Sequence, residues 1–128
     1  MNRVTGIGGI FFKAKDPKRL AEWYQTHLGL KAEPWGGVKF EWASKDNPTG
    51  AGTTVWNPFD EKTAYFAPSK ASFMINYRVE DLHALIALLR NEGCEVDPKV
   101  EESEYGKFGW VMDPEGNRIE LWEPPQGG

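Results

Sequence analysis

Residues 118–122, Arg-Ile-Glu-Leu-Trp, set a guanidinium, a carboxylate and an indole at alternate positions. Successive side chains of a strand point to opposite faces, so Arg118, Glu120 and Trp122 would share one side. Just upstream, Asp113, Pro114, Glu115, Gly116 and Asn117 have the composition of a tight turn: Pro fixes φ on the way in, and Gly and Asn tolerate φ > 0 on the way out. Folding the chain back with Asp113 opposite Asn117 pairs Met112 with Arg118, Val111 with Ile119 and Trp110 with Glu120. Val111, Ile119 and Leu121 then form an apolar face suited to packing on helices. Trp110, Met112, Arg118, Glu120 and Trp122 form a face too aromatic for solvent and too charged for a sealed core, which suits a cavity wall. A carboxylate in such a wall either pairs with a cation or, if burial raises its pKa, accepts protons as a catalytic base. Arg118, Arg78 and Lys13 are the candidate cations.

The elements that would position this hairpin follow from the rest of the chain. Val4 to Ala14 reads as a strand with bare spots at Gly6, Gly8 and Gly9. Asp16-Pro17 opens a helix, with Leu20, Trp23, Tyr24 and Leu28 at helical spacing and Gly29 at its end. Strands are expected at Leu30–Glu33, Val38–Ala43 and Thr53–Trp56, with a polar loop from Ser44 to Gly52. Asn57 to Lys70 reads as a long connection whose Phe59, Tyr65 and Phe66 would meet a ligand or a second subunit. The pattern then recurs. Ser72–Val79 is a strand, Asp81 caps a helix with Leu82, Leu85, Ile86 and Leu89 on one face, Gly93 ends it, and Cys94–Val100 is a strand. Glu101, Glu102 and Glu104 read as a solvated acidic loop, with Tyr105-Gly106 near the cavity mouth, and residues 124–128 as a loose tail. Each half thus reads strand, helix, three strands, an internal duplication within one α+β domain. The modules span about 1–57 and 72–124.

At 128 residues the chain is long enough to bury a real core. A net charge of −4 argues against nucleic acid, and nothing polybasic points to a membrane surface. The opening MNRVTGIGG lacks a signal peptide's apolar run, so a cytoplasmic location is expected. A single cysteine, Cys94, excludes an internal disulfide and reads as a small packing residue. The two histidines, His27 and His83, fall on the helices, away from the cavity face.

Two βαβββ modules, the helix opening DPKRLAEWYQTHLGL and the closing FGWVMDPEGNRIELWEP together resemble the vicinal oxygen chelate superfamily, the glyoxalase, bleomycin-resistance and extradiol-dioxygenase group. The resemblance covers nearly the whole chain and implies sheets curled around a cavity, and a homodimer. Many members of that group hold a divalent metal through a histidine on the first strand, a histidine or glutamate on the first strand of the second module, and a glutamate on the last strand. Some add a ligand from the fourth strand. Carried over, the last position is Glu120, the first falls at about Gly9, the second at about Met74 and the fourth near Thr53. One carboxylate does not make a useful transition-metal site, which takes three or more donors. The expectation is therefore no metal and no other cofactor.

Strand parity anchored at Glu120, Gly9 and Met74 gives the cavity lining: Phe11, Lys13, Thr53, Met74, Asn76, Arg78, Trp110, Met112, Arg118 and Trp122, with Glu120 as the candidate catalytic residue. Aromatic and thioether surface with a few charges suits a flat or amphipathic organic molecule. The plainer reading is that Trp110 and Met74 simply fill the barrel or form a dimer seam. The functional alternatives are a metal-free binding protein, a glyoxalase- or dioxygenase-type enzyme using Glu120 as ligand or base with further donors such as Glu41 or a partner chain, and an interaction module.

Overall fold

The computed structural model describes residues 3–45 and 47–126. Its elements are β1 (Val4–Ala14), α1 (Pro17–Leu28), β2 (Val38–Glu41), β3 (Thr53–Asp60), β4 (Phe73–Val79), α2 (Leu82–Asn91), β5 (Glu95–Val96), β6 (Glu101–Ser103), β7 (Gly106–Met112) and β8 (Arg118–Glu123). The eight strands form one curled, unclosed sheet in the order β2-β3-β1-β4-β8-β7-β5, with β6 paired on β7. At its centre β1 runs antiparallel to β4. Each of these two strands has a parallel neighbour on its other side, β3 against β1 and β8 against β4. The fold is α+β with two helices, as expected.

The helices begin and end where side-chain chemistry stops the backbone's alternatives. Asp16 accepts from the Arg19 amide, Pro17 takes the first helical position and Gly29 closes α1 in the left-handed region. Asp81 accepts from the Ala84 amide, and Glu123 of β8 reaches across to accept from the Leu82 amide at 2.9 Å. That second contact fixes α2 to the sheet it covers. Val79, Leu82, Leu85, Ile86 and Leu121 form the core beneath α2, with Val111 and Ile119 packed beside them. The closing hairpin has the expected register, Met112 with Arg118, Val111 with Ile119 and Trp110 with Glu120. Its turn is held by Asp113 Oδ1, which accepts from the Glu115 and Asn117 amides, and by Gly116 at φ 80°.

Several expectations fail. Leu30–Glu33 forms no strand. Instead Glu33 donates to Gly37 and Gly36 to Glu33, so the segment spends its polar groups on a local turn. β3 runs to Asp60 because its partner β1 is long enough to pair with it as far as Ala14. The expected Cys94–Val100 strand shrinks to Glu95–Val96, and Cys94 is exposed rather than packed. Of the acidic run, Glu101 and Glu102 lie in a strand and only Glu104 in a turn: β6 pairs with the start of β7 while its glutamates face solvent, with Lys99–Glu101 at 2.7 Å and His83–Glu102 at 3.0 Å. Of the tail, Gly127 and Gly128 lie outside the described residues.

Leu82 is fully buried in the core under α2. Leu82→Ala should lower stability by about 2–5 kcal/mol through lost transfer energy and a residual cavity. Urea unfolding would read this as a lower midpoint at unchanged slope.

Candidate functional site

Glu120 is 1% exposed, on the concave side of the sheet. Its Oε1 accepts from Asn76 Nδ2 at 2.6 Å. Its Oε2 accepts from Trp110 Nε1 at 2.9 Å and from the Tyr65 hydroxyl. Register brings two of these donors together, since Asn76 of β4 and Trp110 of β7 are the cross-strand neighbours of Glu120 on either side. Tyr65 comes from the connection between the sheet's halves. None of the three donors carries a charge. Burial pushes the Glu120 pKa up from its ordinary 4.5, and the three hydrogen bonds, then the charge of Arg118, pull it back. The Tyr65 hydroxyl is raised as well, first by its own burial and then by the carboxylate it serves.

Around this carboxylate the hollow is filled. Phe11, Phe66, Met74 and Trp110 form a second core, with Val55, Phe59, Tyr65 and Phe108 against it. Phe59 stacks on Tyr65 at 5.6 Å, and Phe66 is fully buried. The connecting segment therefore plugs one end of the curled sheet, and its aromatics meet their own chain. Beside the plug a cleft of about 580 Å³ remains open. Its floor is Gly8, Phe11 and Asn76. One wall is Thr53, Val55 and Asn57 with Lys39 and Glu41, the other Phe108 and Trp122, and Trp35, Glu104, Tyr105 and Pro125 stand at its rim.

The expected lining set divides. Phe11, Thr53, Asn76 and Trp122 line the cleft. Met74 and Trp110 are core residues at its inner end, as the plainer reading had them. Lys13 lies 5.7 Å from the Phe66 ring. Arg78 is buried between the rings of Trp42 and Trp122, at 4.9 and 5.2 Å, and donates to the Thr53 carbonyl; burial lowers its pKa. Met112 and Arg118 face a different, smaller hollow of about 210 Å³ with Asp97 and Pro68. There Arg118 lies over Trp110 at 4.9 Å and bonds to Ala67 O and Asp97 rather than to Glu120. Tyr65, expected to meet a ligand or a second subunit, instead bonds to Glu120; sequence reasoning missed that pairing because nothing local ties residue 65 to residue 120.

The chain's donor set does not fit the metal that the fold family implies. The residue level with Glu120 on β4 is Asn76, not Met74, and the residue level with Asn76 on β1 is Gly9. Both carboxylate oxygens are already taken by protein donors. Among the described residues no three His, Cys, Asp or Glu side chains converge as a metal site. His27 and His83 are exposed on the helices.

The family profile of a glyoxalase-like domain matches residues 9–122. The chain belongs to that family, and with it to the vicinal oxygen chelate superfamily. Solved structures with the same fold include methylmalonyl-CoA epimerase from Mycobacterium tuberculosis (24% identity, 98% of this chain and 91% of that one, TM-score 0.65). The epimerase from Streptomyces coelicolor in complex with 2-nitronate-propionyl-CoA aligns at 16% identity over 94% and 98%, TM-score 0.70. A glyoxalase/bleomycin resistance protein/dioxygenase superfamily member from Vibrio splendidus aligns at 12% over 91% and 97%, TM-score 0.59. At these identities the likeness is one of fold. No curated protein matches the chain.

Two outcomes follow from the burial of Glu120. The folded state holds the Glu120 proton more tightly than the unfolded chain does, so this group's contribution is fully present below pH 4.5 and is lost as pH rises through the raised value. Melting temperatures of wild type and Glu120→Gln, scanned upward from pH 4, should show the wild type losing ground to the variant. Tyr65→Phe removes one donor from a buried acceptor and should cost about 1–3 kcal/mol in thermal unfolding. Tyr105→Phe, at a side chain 69% exposed, should cost nothing measurable.

Proposed function

We propose that this glyoxalase-like protein binds a small, flat or amphipathic organic molecule in the cleft over Gly8, Phe11 and Asn76, without a resident metal. One observation carries the reading. The glutamate that the family resemblance makes a metal ligand is here satisfied by Tyr65, Trp110 and Asn76, beside a cleft with aromatic side chains on wall and rim. Apolar surface with a few convergent polar groups is the usual make-up of a small-molecule site. Phe108 and Trp122, stacked at 6.1 Å and 10°, offer an extended flat wall, and Lys39, Glu41 and Glu104 leave charges near the mouth for a polar tail. The Streptomyces coelicolor epimerase is in complex with 2-nitronate-propionyl-CoA, an acyl-CoA-type ligand of that protein. For this chain that likeness supports only an organic molecule of moderate size.

A second reading makes Glu120 the base or metal ligand of a glyoxalase- or dioxygenase-type enzyme. Its raised proton affinity favours that role, and its burial behind Tyr65 and Trp110 opposes it. A homodimer, supported by the resemblance, and a cytoplasmic location, supported by the opening MNRVTGIGG, remain part of the proposal.

Equilibrium dialysis with 2-naphthol, together with elemental analysis of the purified protein, tests the first reading. Saturable binding with substoichiometric metal is expected. Trp35→Ala at the rim should weaken binding by about 3- to 10-fold, as lost aromatic contacts do. Met112→Ala in the other hollow should leave it unchanged. One equivalent of tightly held transition metal that Glu120→Ala releases, or a Met112→Ala loss equal to that of Trp35→Ala, would overturn it.

A further inference from the structure

Each helix covers the outer strands of its own half of the sheet and stops short of the middle. α1 lies on β3, where Tyr24 meets Trp56 at 4.8 Å. α2 lies on β8 and β7, over Leu121, Ile119 and Val111. Between the helices, the convex side of β1 and β4 is left bare. Register shows which residues stand there. Ile75 is level with Ile119, which packs under α2, so Ile75 and the residues two away from it, Phe73 and Tyr77, are on the convex side. On β1, Val4 is opposite Val79, Ile7 opposite Tyr77 and Ile10 opposite Ile75, and residues paired in this way share a face. Val4, Ile7, Ile10 and Phe73 are 41–49% exposed, although they belong to the two central strands.

The walls of this seam are apolar too. On α2, His83 and Arg90 turn outward to Glu102 and Asp97, while Glu92 turns inward to Arg3, just before β1. Leu88, one helical turn before Glu92, shares that inner side and is exposed. On α1, Asp16 caps the helix as Asp81 caps α2, and counting seven residues from each cap puts Trp23 in the place of Leu88. Trp23 is 52% exposed and borders a hollow with Lys13 and Ala14, the end of β1. Six large side chains, each roughly half exposed, leave on the order of 500 Å² of apolar surface along one seam. A monomer seldom bares more than a few hundred Å² in one place, and a stable interface takes about 800 Å² from each partner.

We infer that this convex seam is the surface through which two copies of the chain pair, around a two-fold axis that crosses it. The occupant is a second copy because the floor of the seam carries no charge. A two-fold pair sets residues near its axis against themselves, which apolar side chains tolerate and like charges do not. Charges stand only at the ends: Lys15 and Arg19 around the hollow beside Trp23, and Arg3 paired with Glu92 at 2.7 Å at the other. Head-to-tail pairing keeps the two basic ends apart. A net charge of −4 disfavours an anionic membrane as the occupant. The inference rests on the homodimer proposed above and gives it a surface. The cleft opens on the opposite, concave side, so pairing along the seam leaves both clefts free.

Sedimentation equilibrium of the full chain over a dilution series tests this, with circular dichroism to check the fold of each variant. The wild type should sediment at twice the chain mass. Trp23→Glu and Ile10→Glu should each raise the dimer dissociation constant by about 30-fold or more, as loss of a central anchor does. Leu28→Glu, exposed on α1 but beside Val38 and Phe40 of β2, should leave it unchanged. Trp23 lies on a helix surface, so its variant decides the matter even if Ile10→Glu fails to fold. A wild-type dimer that Trp23→Glu leaves intact, or that Leu28→Glu weakens as much, overturns the seam and leaves the homodimer standing. A wild type that is monomeric throughout the series, or that pellets as a monomer with phosphatidylcholine vesicles, overturns both.

Discussion

A carboxylate withdrawn from water is tolerable only when dipoles replace the water. In this protein three neutral donors, from Tyr65, Asn76 and Trp110, do so for Glu120. Much of the concave face is arranged around that requirement. β4 and β8 run parallel in a register that sets Asn76 beside Glu120, and β7 returns antiparallel to set Trp110 on the other side. The connection after β3 carries Tyr65 over the top and seats Phe66 in the core as it does so. Each donor is also a packing residue or the neighbour of one, so polar satisfaction and core filling at this end of the sheet are one arrangement. A cation would have been the simpler partner. Arg118 is near enough to be felt, but its guanidinium is turned to Asp97 and the Ala67 carbonyl across the Trp110 ring.

The closing hairpin was legible in sequence because its information is local. A five-residue turn, a two-residue period and a separation of charged from apolar faces fix the register without knowledge of any other strand. The helices were legible for the same reason, through Asp16-Pro17 and Asp81 at one end and Gly29 and Gly93 at the other. Among the failed expectations, one fell to a local turn and one to strand pairing. Leu30–Glu33 has strand composition but is consumed by a turn against Gly36 and Gly37. β6 has the charges of a loop but is held by β7, with all its polar side chains on the solvent side. Tertiary pairing overrides local propensity in strands of this length.

The site divides along the same line. Glu120 and its aromatic wall follow from strand parity, and parity also put Asn76 on the inward face. The level of Asn76 with Glu120 depends on how β4 meets β8, which the sequence does not state, so counting from helix caps led two residues away to Met74. The bulges where β1 passes β4, between Val4 and Gly6 and between Ile7 and Gly9, are equally invisible in composition. They decide that Gly8, as well as Phe11, turns toward the cleft. The pairing of Tyr65 with Glu120 could be found only by closing a loop of 55 residues.

An open curled sheet ends in strands whose outer backbone groups have no neighbour, and such borders invite further chains to add themselves. Here one border is β5 and β6, two and three residues long, and the other is β2, four residues with Lys39 and Glu41 alternating along it. Brevity guards the first and charge the second. The fold can therefore leave its sheet unclosed, with a cleft open on its concave side, without offering long bare edges to other chains.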